Sequence, residues 1–152
     1  MKIYLMRHAE SLFNINLSND RDVGLSDYGI NQASNITGYY DIVICSPLKR
    51  CIETLKYSNI KYDKLIIEPI VREVIKDNCD LMINENEPYE NENNVIKRIE
   101  LFKQKLQLYK EQLILVLCHS DFIWYLTSYD INGERFGKYI DNAEVIEYIN
   151  EI

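Results

Sequence analysis

The stretch that decides the fold is KIYLMRHAES, residues 2–11, in which an apolar run ends on an arginine and a histidine. Residues 2–6 have the pattern of a buried strand near the middle of a parallel sheet. Strands of that kind carry reactive side chains at their carboxyl ends. Arg7 and His8 could also be the first solvated residues of a loop, so the rest of the chain has to decide between a loop and a site.

Composition narrows the class of protein. The chain has 152 residues, 47% of them hydrophobic and 27% charged, which predicts a single domain over residues 1–152 with a substantial core. The net charge of −7 argues against a nucleic-acid partner, because such binding needs clustered Lys and Arg. No apolar run approaches the roughly 18 residues of a membrane span, and the first 30 residues lack a signal-peptide pattern. We therefore expect a cytoplasmic protein with no membrane partner.

The cysteines and histidines argue against a metal site. Cys45, Cys51, Cys79 and Cys118 contain no C-x-x-C pair and lie in or near apolar segments, which predicts reduced, buried thiols. With only two histidines in the chain, a histidine-rich cluster is excluded. We expect no metal and no cofactor.

Helix and strand patterns alternate along the first half of the chain. The segment of residues 24–38 predicts a helix with Ser26 as its N-cap and Gly38 as its end. A strand is predicted over Asp41–Ser46, and the next helix is expected to begin at Pro47.

The second half continues the alternation. Residues 84–94 have the composition of a polar surface loop, and apolar residues at helical spacing follow it, namely Val95, Ile99, Phe102, Leu106 and Tyr109. Strands are predicted over Leu65–Glu68, Leu113–Cys118 and Ala143–Ile149, with a helix over residues 120–128. This order predicts an α/β fold, a three-layer sandwich whose mainly parallel central sheet is flanked by helices.

Three of the predicted strands end in a similar way. Arg7 with His8, Arg50, and His119 each lie at or just beyond the carboxyl end of a strand. Because those ends share one edge of a parallel sheet, the four side chains can converge although they are distant in sequence. In an acidic protein this predicts a local oxyanion-binding site, with phosphate as the leading candidate ligand.

Five motifs in order give the chain a family resemblance. RHAES (7–11) resembles the R-H-G-E-[ST] signature of the histidine phosphatase superfamily, the phosphoglycerate-mutase-like proteins. LSDYGINQA (25–33) is similar to the family's L-[ST]-x-x-G-x-x-Q-A helix, and SPLKRCIET (46–54) to its S-x-L-x-R-x-x-x-T segment. VREV (71–74) resembles its L-R-E segment, and LCHSDFI (117–123) its second-histidine motif.

The resemblance implies a role for each matching residue. His8 would be the nucleophile, Glu73 the proton donor and acceptor, and His119 a second catalytic histidine. The residues implied to bind the phosphoryl group are Arg7, His8, Asn14, Arg50 and His119. The implied activity is phosphatase chemistry through a phosphohistidine, without a metal, on a small phosphorylated molecule or a phosphoprotein.

The sequence departs from the family at two positions. Ala9 stands where glycine is usual, which asks for ordinary backbone angles there. Asp77 stands where the family commonly has glycine after the implied acid, which puts the geometry around Glu73 in question. The chain also has little room for the insertions and tail of the mutases, so hydrolysis is favoured over transfer.

Three other interpretations stay open. A cysteine phosphatase would use Cys45, but four residues separate it from Arg50 where that loop needs five. A phosphate-binding or scaffold module would keep the pocket without turnover. A phosphoglycerate-mutase-type phosphotransferase would use the same nucleophile with a different acceptor.

Overall fold

The computed structural model describes residues 1–86 and 89–149. Its helices and strands are, in chain order, β1 (Lys2–Arg7), α1 (Asp27–Ser34), β2 (Thr37–Cys45), α2 (Lys49–Tyr57), β3 (Asn59–Ile67), α3 (Glu92–Leu106), β4 (Leu113–Cys118), α4 (Ser120–Leu126), β5 (Tyr129–Ile131), β6 (Glu134–Phe136) and β7 (Val145–Tyr148). Two short 3₁₀ helices, Pro69–Val71 and Asn78–Asp80, lie between β3 and α3.

The central sheet has five strands in the order β3-β2-β4-β1-β7. The first four are parallel, and β7 closes the sheet antiparallel to β1. β5 and β6 form a separate hairpin. The predicted α/β fold with a mainly parallel sheet is confirmed.

Alternation along the strands builds a core on each face of the sheet. Ile3 and Leu5 of β1 pack in the cluster that includes the apolar stripe of α3 and the inner face of α4. Met6 of β1 packs in a second cluster with Cys51 of α2, and Tyr4 packs against that cluster. The sheet is therefore the middle of three layers, and its central strands β1 and β4 are buried on both faces.

The start of one helix and the buried face of another follow the sequence closely. The Ser26 side chain accepts from the Gly29 amide at the start of α1, as predicted. The buried stripe of α3 contains four of the five predicted residues, namely Val95, Ile99, Phe102 and Leu106, whereas Tyr109 lies beyond the end of α3 and is half-buried. The predicted loop before it is irregular at 84–86 and 89–91, with residues 87 and 88 outside the described part.

Several predicted helix boundaries are wrong, and two of them are explained by hydrogen bonds in the structure. α1 ends at Ser34, and Gly38 lies inside β2 with φ +140, because pairing of β2 with β3 from Thr37 onward extends this segment. α2 begins at Lys49, two residues after Pro47. There the Ser46 hydroxyl accepts from the Leu48 amide and holds Leu48 extended, which delays the helix.

Two strand features were not predicted from the pattern. β3 spans nine residues. Its full length was not predicted, because an exposed edge strand tolerates charged side chains that hide the alternation. The β5–β6 hairpin turns on Asn132 and Gly133, both with positive φ, a pair typical of two-residue hairpin loops.

Within residues 1–86 and 89–149, no helix combines the length and apolar character that crossing a bilayer requires.

Candidate active site

A cavity of about 250 Å³ opens at the carboxyl ends of the parallel strands. Five predicted site residues line it, namely Arg7, His8, Asn14, Arg50 and Glu73. The sixth, His119, is fully buried beside them, with its ring centroid 5.3 Å from that of His8. The structure therefore brings together residues that the sequence separates by up to 112 positions, from Arg7 to His119.

His8 is held by backbone hydrogen bonds where β1 ends. Its amide donates to the Cys118 carbonyl at 3.1 Å, and its own carbonyl accepts from the Ala143 amide at 3.1 Å. The ring Nδ1 lies 2.6 Å from the Ala9 carbonyl, and because a carbonyl only accepts, Nδ1 carries the proton. Nε2 of the neutral ring is then a bare lone pair. Burial, and next the charge of Arg50, lower the pKa of His8 well below 6.5.

Arg7 is fixed by the segment that precedes β7. Its Nη1 donates to the Tyr139 hydroxyl at 2.9 Å and to the Ile140 carbonyl at 3.1 Å. Its Nε is buried without a hydrogen-bond partner among the described residues. The Arg7 guanidinium also lies 5.5 Å from the centre of the Tyr139 ring, a cation–π contact.

Arg50, in the first turn of α2, is held from the opposite side. Its Nη1 donates to the Cys79 carbonyl at 2.8 Å, and its Nη2 forms a buried ion pair with Asp80 at 2.9 Å. A guanidinium has five donors, and these contacts use two of them. Arg50 therefore still has N–H groups for a phosphoryl oxygen.

His119 follows β4 as the N-cap residue of α4. Its Nε2 lies 2.8 Å from the Ser46 hydroxyl, and its Nδ1 is buried without a hydrogen-bond partner in the described part of the chain. Burial, then the charges of Arg50 and His8, lower the pKa of His119 well below 6.5. Its ring is therefore neutral near pH 7.

Glu73 sits against the N-terminus of α4. Its carboxylate accepts from the amides of Val74 at 2.8 Å, Phe122 at 3.0 Å and Asp121 at 3.2 Å. Burial, and then the charges of Asp121 and Asp80, raise the pKa of Glu73 to about 7, although Arg50 and the Val74 amide act in the opposite direction. Glu73 can thus hold or release a proton near neutral pH, as an acid-base group requires.

Asn14 reaches the cavity but orders its own loop. Its Oδ1 accepts from the Ser11 amide and hydroxyl, each at 3.0 Å, and from Asn142 Nδ2 at 3.1 Å. The predicted contact of Asn14 with phosphate stays a prediction. Ala9 keeps a negative φ and is fully buried, so alanine fits the position where the family uses glycine.

Four residues around the site were not among the predicted set. Tyr139 and Asp80 fix the two arginines, and Ser46 contacts His119. The Thr54 hydroxyl accepts from the Ala9 amide at 3.0 Å and donates to the Arg50 carbonyl at 2.7 Å, which ties α2 to the end of β1. Ser46 and Thr54 belong to the SPLKRCIET motif, so that motif could have identified them.

The cysteine alternative has no support in the geometry. Cys45 is fully buried and does not line the cavity, and burial raises the pKa of its thiol to about 12. Cys79 lines the cavity, but burial and Asp80 raise its pKa to about 12 as well. A thiol with such a pKa is not a thiolate nucleophile at neutral pH.

A family comparison matches residues 3–79 to the histidine phosphatase superfamily (branch 1). No curated protein sequence matches the chain. Several solved structures share its fold, and three illustrate the range.

The α-ribazole phosphatase from Shigella flexneri is 17% identical, with 94% of this chain and 97% of that chain covered and a TM-score of 0.64. Phosphoglycerate mutase from Thermus thermophilus is 16% identical, with coverage of 97% and 92% and a TM-score of 0.66. The protein histidine phosphatase SixA, complexed with tungstate, is 15% identical, with coverage of 97% and 86% and a TM-score of 0.55. At these identities the likeness is one of fold.

Proposed function

The chain belongs to the histidine phosphatase superfamily, and we propose that it is a metal-independent phosphomonoesterase that forms a phosphohistidine on His8. The observation that carries this proposal is the His8 ring itself. Its Nδ1 proton is committed to the Ala9 carbonyl at 2.6 Å, which leaves Nε2 as the nucleophilic atom in a cavity lined by two arginines and a carboxyl group.

The first step transfers the phosphoryl group to His8. The Nε2 lone pair forms a bond to phosphorus as the bond from phosphorus to the ester oxygen breaks, and protonated Glu73 gives its proton to that oxygen. Arg7, Arg50 and His119 stabilise the phosphoryl oxygens as charge shifts, which supplies most of the catalysis in phosphoryl transfer.

The second step returns His8 to its starting form. Ionised Glu73 takes a proton from water, the water oxygen bonds to phosphorus, and the bond from phosphorus to Nε2 breaks. Phosphate leaves and His8 is again neutral. A pKa near 7 suits Glu73 to both duties, and such acid-base help is worth roughly 10²- to 10⁴-fold.

The substrate is proposed by class only: a small phosphorylated molecule or a phosphoprotein. The SixA structure is titled a protein histidine phosphatase and the Shigella structure an α-ribazole phosphatase, so the fold accommodates both classes. We also propose a cytoplasmic location, which the four free cysteines support.

A turnover screen tests the proposal. Phosphorylated sugars, nucleotides, phosphoamino acids and phosphohistidine peptides are incubated with the enzyme in excess chelator, and released phosphate is measured. We expect release from at least one class, none from His8→Ala, and no loss on chelation. Activity that chelation abolishes and one divalent ion restores would contradict the metal-independent mechanism.

The same screen separates the two remaining alternatives. Interconversion of 2- and 3-phosphoglycerate faster than phosphate release would identify a phosphotransferase. Binding of inorganic phosphate with no turnover of any class would identify a binding module.

A further inference from the structure

The two histidines of the chain differ in which ring nitrogen contacts another group of the protein. In His8 it is Nδ1, which donates to a backbone carbonyl. In His119 it is Nε2, which lies 2.8 Å from the Ser46 hydroxyl, while Nδ1 has no hydrogen-bond partner among the described residues. A buried, unpaired nitrogen calls for an explanation, and this one belongs to a ring whose centroid lies 5.3 Å from that of the proposed nucleophile.

The fold places Ser46 and His119 side by side. β2 and β4 are adjacent parallel strands, and Cys45 is paired with Leu117 at their ends. The Ser46 amide donates to the Leu117 carbonyl at 3.0 Å, which fixes the serine where its hydroxyl meets the histidine ring. Ser46 and His119 are both fully buried.

The hydrogen bonds around Ser46 decide the direction of the contact. The Ser46 oxygen already accepts from the Leu48 amide at 3.2 Å, and its single proton needs an acceptor. The Cys51 sulfur is the alternative acceptor for the Ser46 proton. It lies 3.5 Å from His119 Nε2, and its own thiol donates to the Cys118 carbonyl. A thiol sulfur is a weak acceptor, whereas the lone pair of a neutral imidazole is a strong one.

We propose that Ser46 is a positioning residue that donates its hydroxyl proton to His119 Nε2 and so fixes His119 as the Nδ1–H tautomer. Both histidines then carry their proton on Nδ1, with opposite consequences. His8 presents a bare Nε2 to phosphorus, and His119 presents an N–H donor that a phosphoryl oxygen can accept. The tautomer stands on the geometry alone, whereas its use rests on the proposed function.

The opposite arrangement would harm anion binding. If His119 carried its proton on Nε2 and donated to Ser46, its buried Nδ1 would be a lone pair in a ring that packs against His8. A lone pair repels an anionic oxygen, and a buried acceptor without a donor is costly. The serine hydroxyl thus determines whether the second histidine attracts or repels the substrate.

Nitrogen NMR reads the tautomer directly, because the chain has only two histidine rings. Long-range ¹H–¹⁵N spectra of the ¹⁵N-labelled protein at pH 7.5 distinguish a protonated ring nitrogen from a bare one, and His8→Asn assigns the remaining ring. We expect His119 with protonated Nδ1 and bare Nε2. A protonated Nε2 in the parent protein would overturn the proposal, whatever the variants do.

Three variants sharpen the test. In Ser46→Ala we expect His119 to populate the Nε2–H tautomer, and the affinity for inorganic phosphate to fall about tenfold. Ser46→Thr keeps a hydroxyl and should restore the parental spectrum. Cys51→Ala removes the other neighbour of Nε2 and should leave the tautomer unchanged. A Ser46→Ala spectrum with only the Nδ1–H form would also overturn the proposal.

Kinetics distinguish the failure of this inference from failure of the proposed function. An Nδ1–H tautomer in a protein that binds phosphate but never turns over a substrate would support the role of Ser46 and contradict the phosphatase. A working phosphatase in which His119 is the Nε2–H tautomer would support the proposed function and contradict the role of Ser46.

Discussion

The two halves of the cavity are held in different ways. On the phosphoryl half, His8 and His119 directly follow the central strands β1 and β4, and backbone hydrogen bonds fix the end of β1. On the leaving-group half, Glu73 comes from an irregular segment between two 3₁₀ helices. That segment is fixed by ion pairs, one of them between Arg72 and Glu85. The ends of β1 and β4 therefore place the two histidines, whereas contacts made by an irregular segment place the acid.

The largest expected effect lies on the phosphoryl half. Replacing His8 with Asn removes the nucleophile, so turnover should fall by about 10⁴-fold or more. The matched control is Cys45→Ala, at the end of β2 in the same sheet, which should keep most of the activity because the Cys45 thiol lies outside the cavity. Steady-state release of phosphate measures both. A loss of turnover in Cys45→Ala equal to that in His8→Asn would support a cysteine phosphatase instead.

The leaving-group half should fail in a substrate-dependent way. Glu73→Gln cannot protonate the ester oxygen, so kcat should fall by roughly 10²- to 10⁴-fold on alkyl phosphates and much less on p-nitrophenyl phosphate. Affinity for inorganic phosphate should change little, because the arginines remain. If Glu73→Gln turned over an alkyl phosphate at the parental rate, another residue would have to be the acid, and Asp77 and Asp80 would be examined next.

The raised pKa of Glu73 also predicts a pH dependence of stability. The folded-state pKa of about 7 exceeds the ordinary value of 4.5, so between these values the folded state binds more protons than the unfolded chain. The stability that Glu73 contributes is present below pH 4.5 and is lost as pH rises through 7. Glu73→Gln does not ionise and lacks this loss.

Urea unfolding at several pH values measures that difference. The free energy of unfolding of the parent relative to Glu73→Gln should fall between pH 4.5 and pH 7.5, by on the order of 2 to 3 kcal/mol, and then level off. Contributions from His8 and His119 are common to both proteins. A pH-independent difference would show that Glu73 is ionised throughout, as its three amide contacts alone would favour.

A smaller effect should follow from loosening the segment that carries Glu73. The two Arg72 Nη nitrogens donate to the two Glu85 carboxylate oxygens at 2.6 Å each. Glu85→Gln should lower kcat a few-fold and the unfolding free energy by about 1 kcal/mol. The control is Glu111→Gln, whose surface pair with Lys64 spans 4.0 Å and should be neutral. Equal effects from both variants would deny Glu85 a special role.

The sequence predicted the histidines at the strand ends much better than the residues that hold the two arginines. The apolar runs of β1 and β4 end on His8 and His119, so the period of the pattern locates both residues. Asp80 and Tyr139 reach the arginines from segments without any period, across sequence separations of 30 and 132 residues. Contacts between distant irregular segments do not affect the local hydrophobic pattern of the sequence, so they could not be predicted from it.

Helix and strand boundaries show the same limit. The Ser26 cap was predictable because it is a local hydrogen bond. The start of α2 was missed although the Ser46–Leu48 hydrogen bond that delays it is equally local, because Pro47 also suits the first position of a helix. The length of β3 depends on its pairing with β2 rather than on its own alternation.

The central claim is that His8 carries the phosphoryl group during turnover. Enzyme is mixed with a substrate labelled in the transferred group, quenched in alkali within one turnover and digested for peptide mapping. We predict label on His8 that survives base and is lost in acid, that is absent from His8→Asn, and that accumulates in Glu73→Gln. Label on Cys45, or turnover by His8→Asn at the parental rate, would contradict the account.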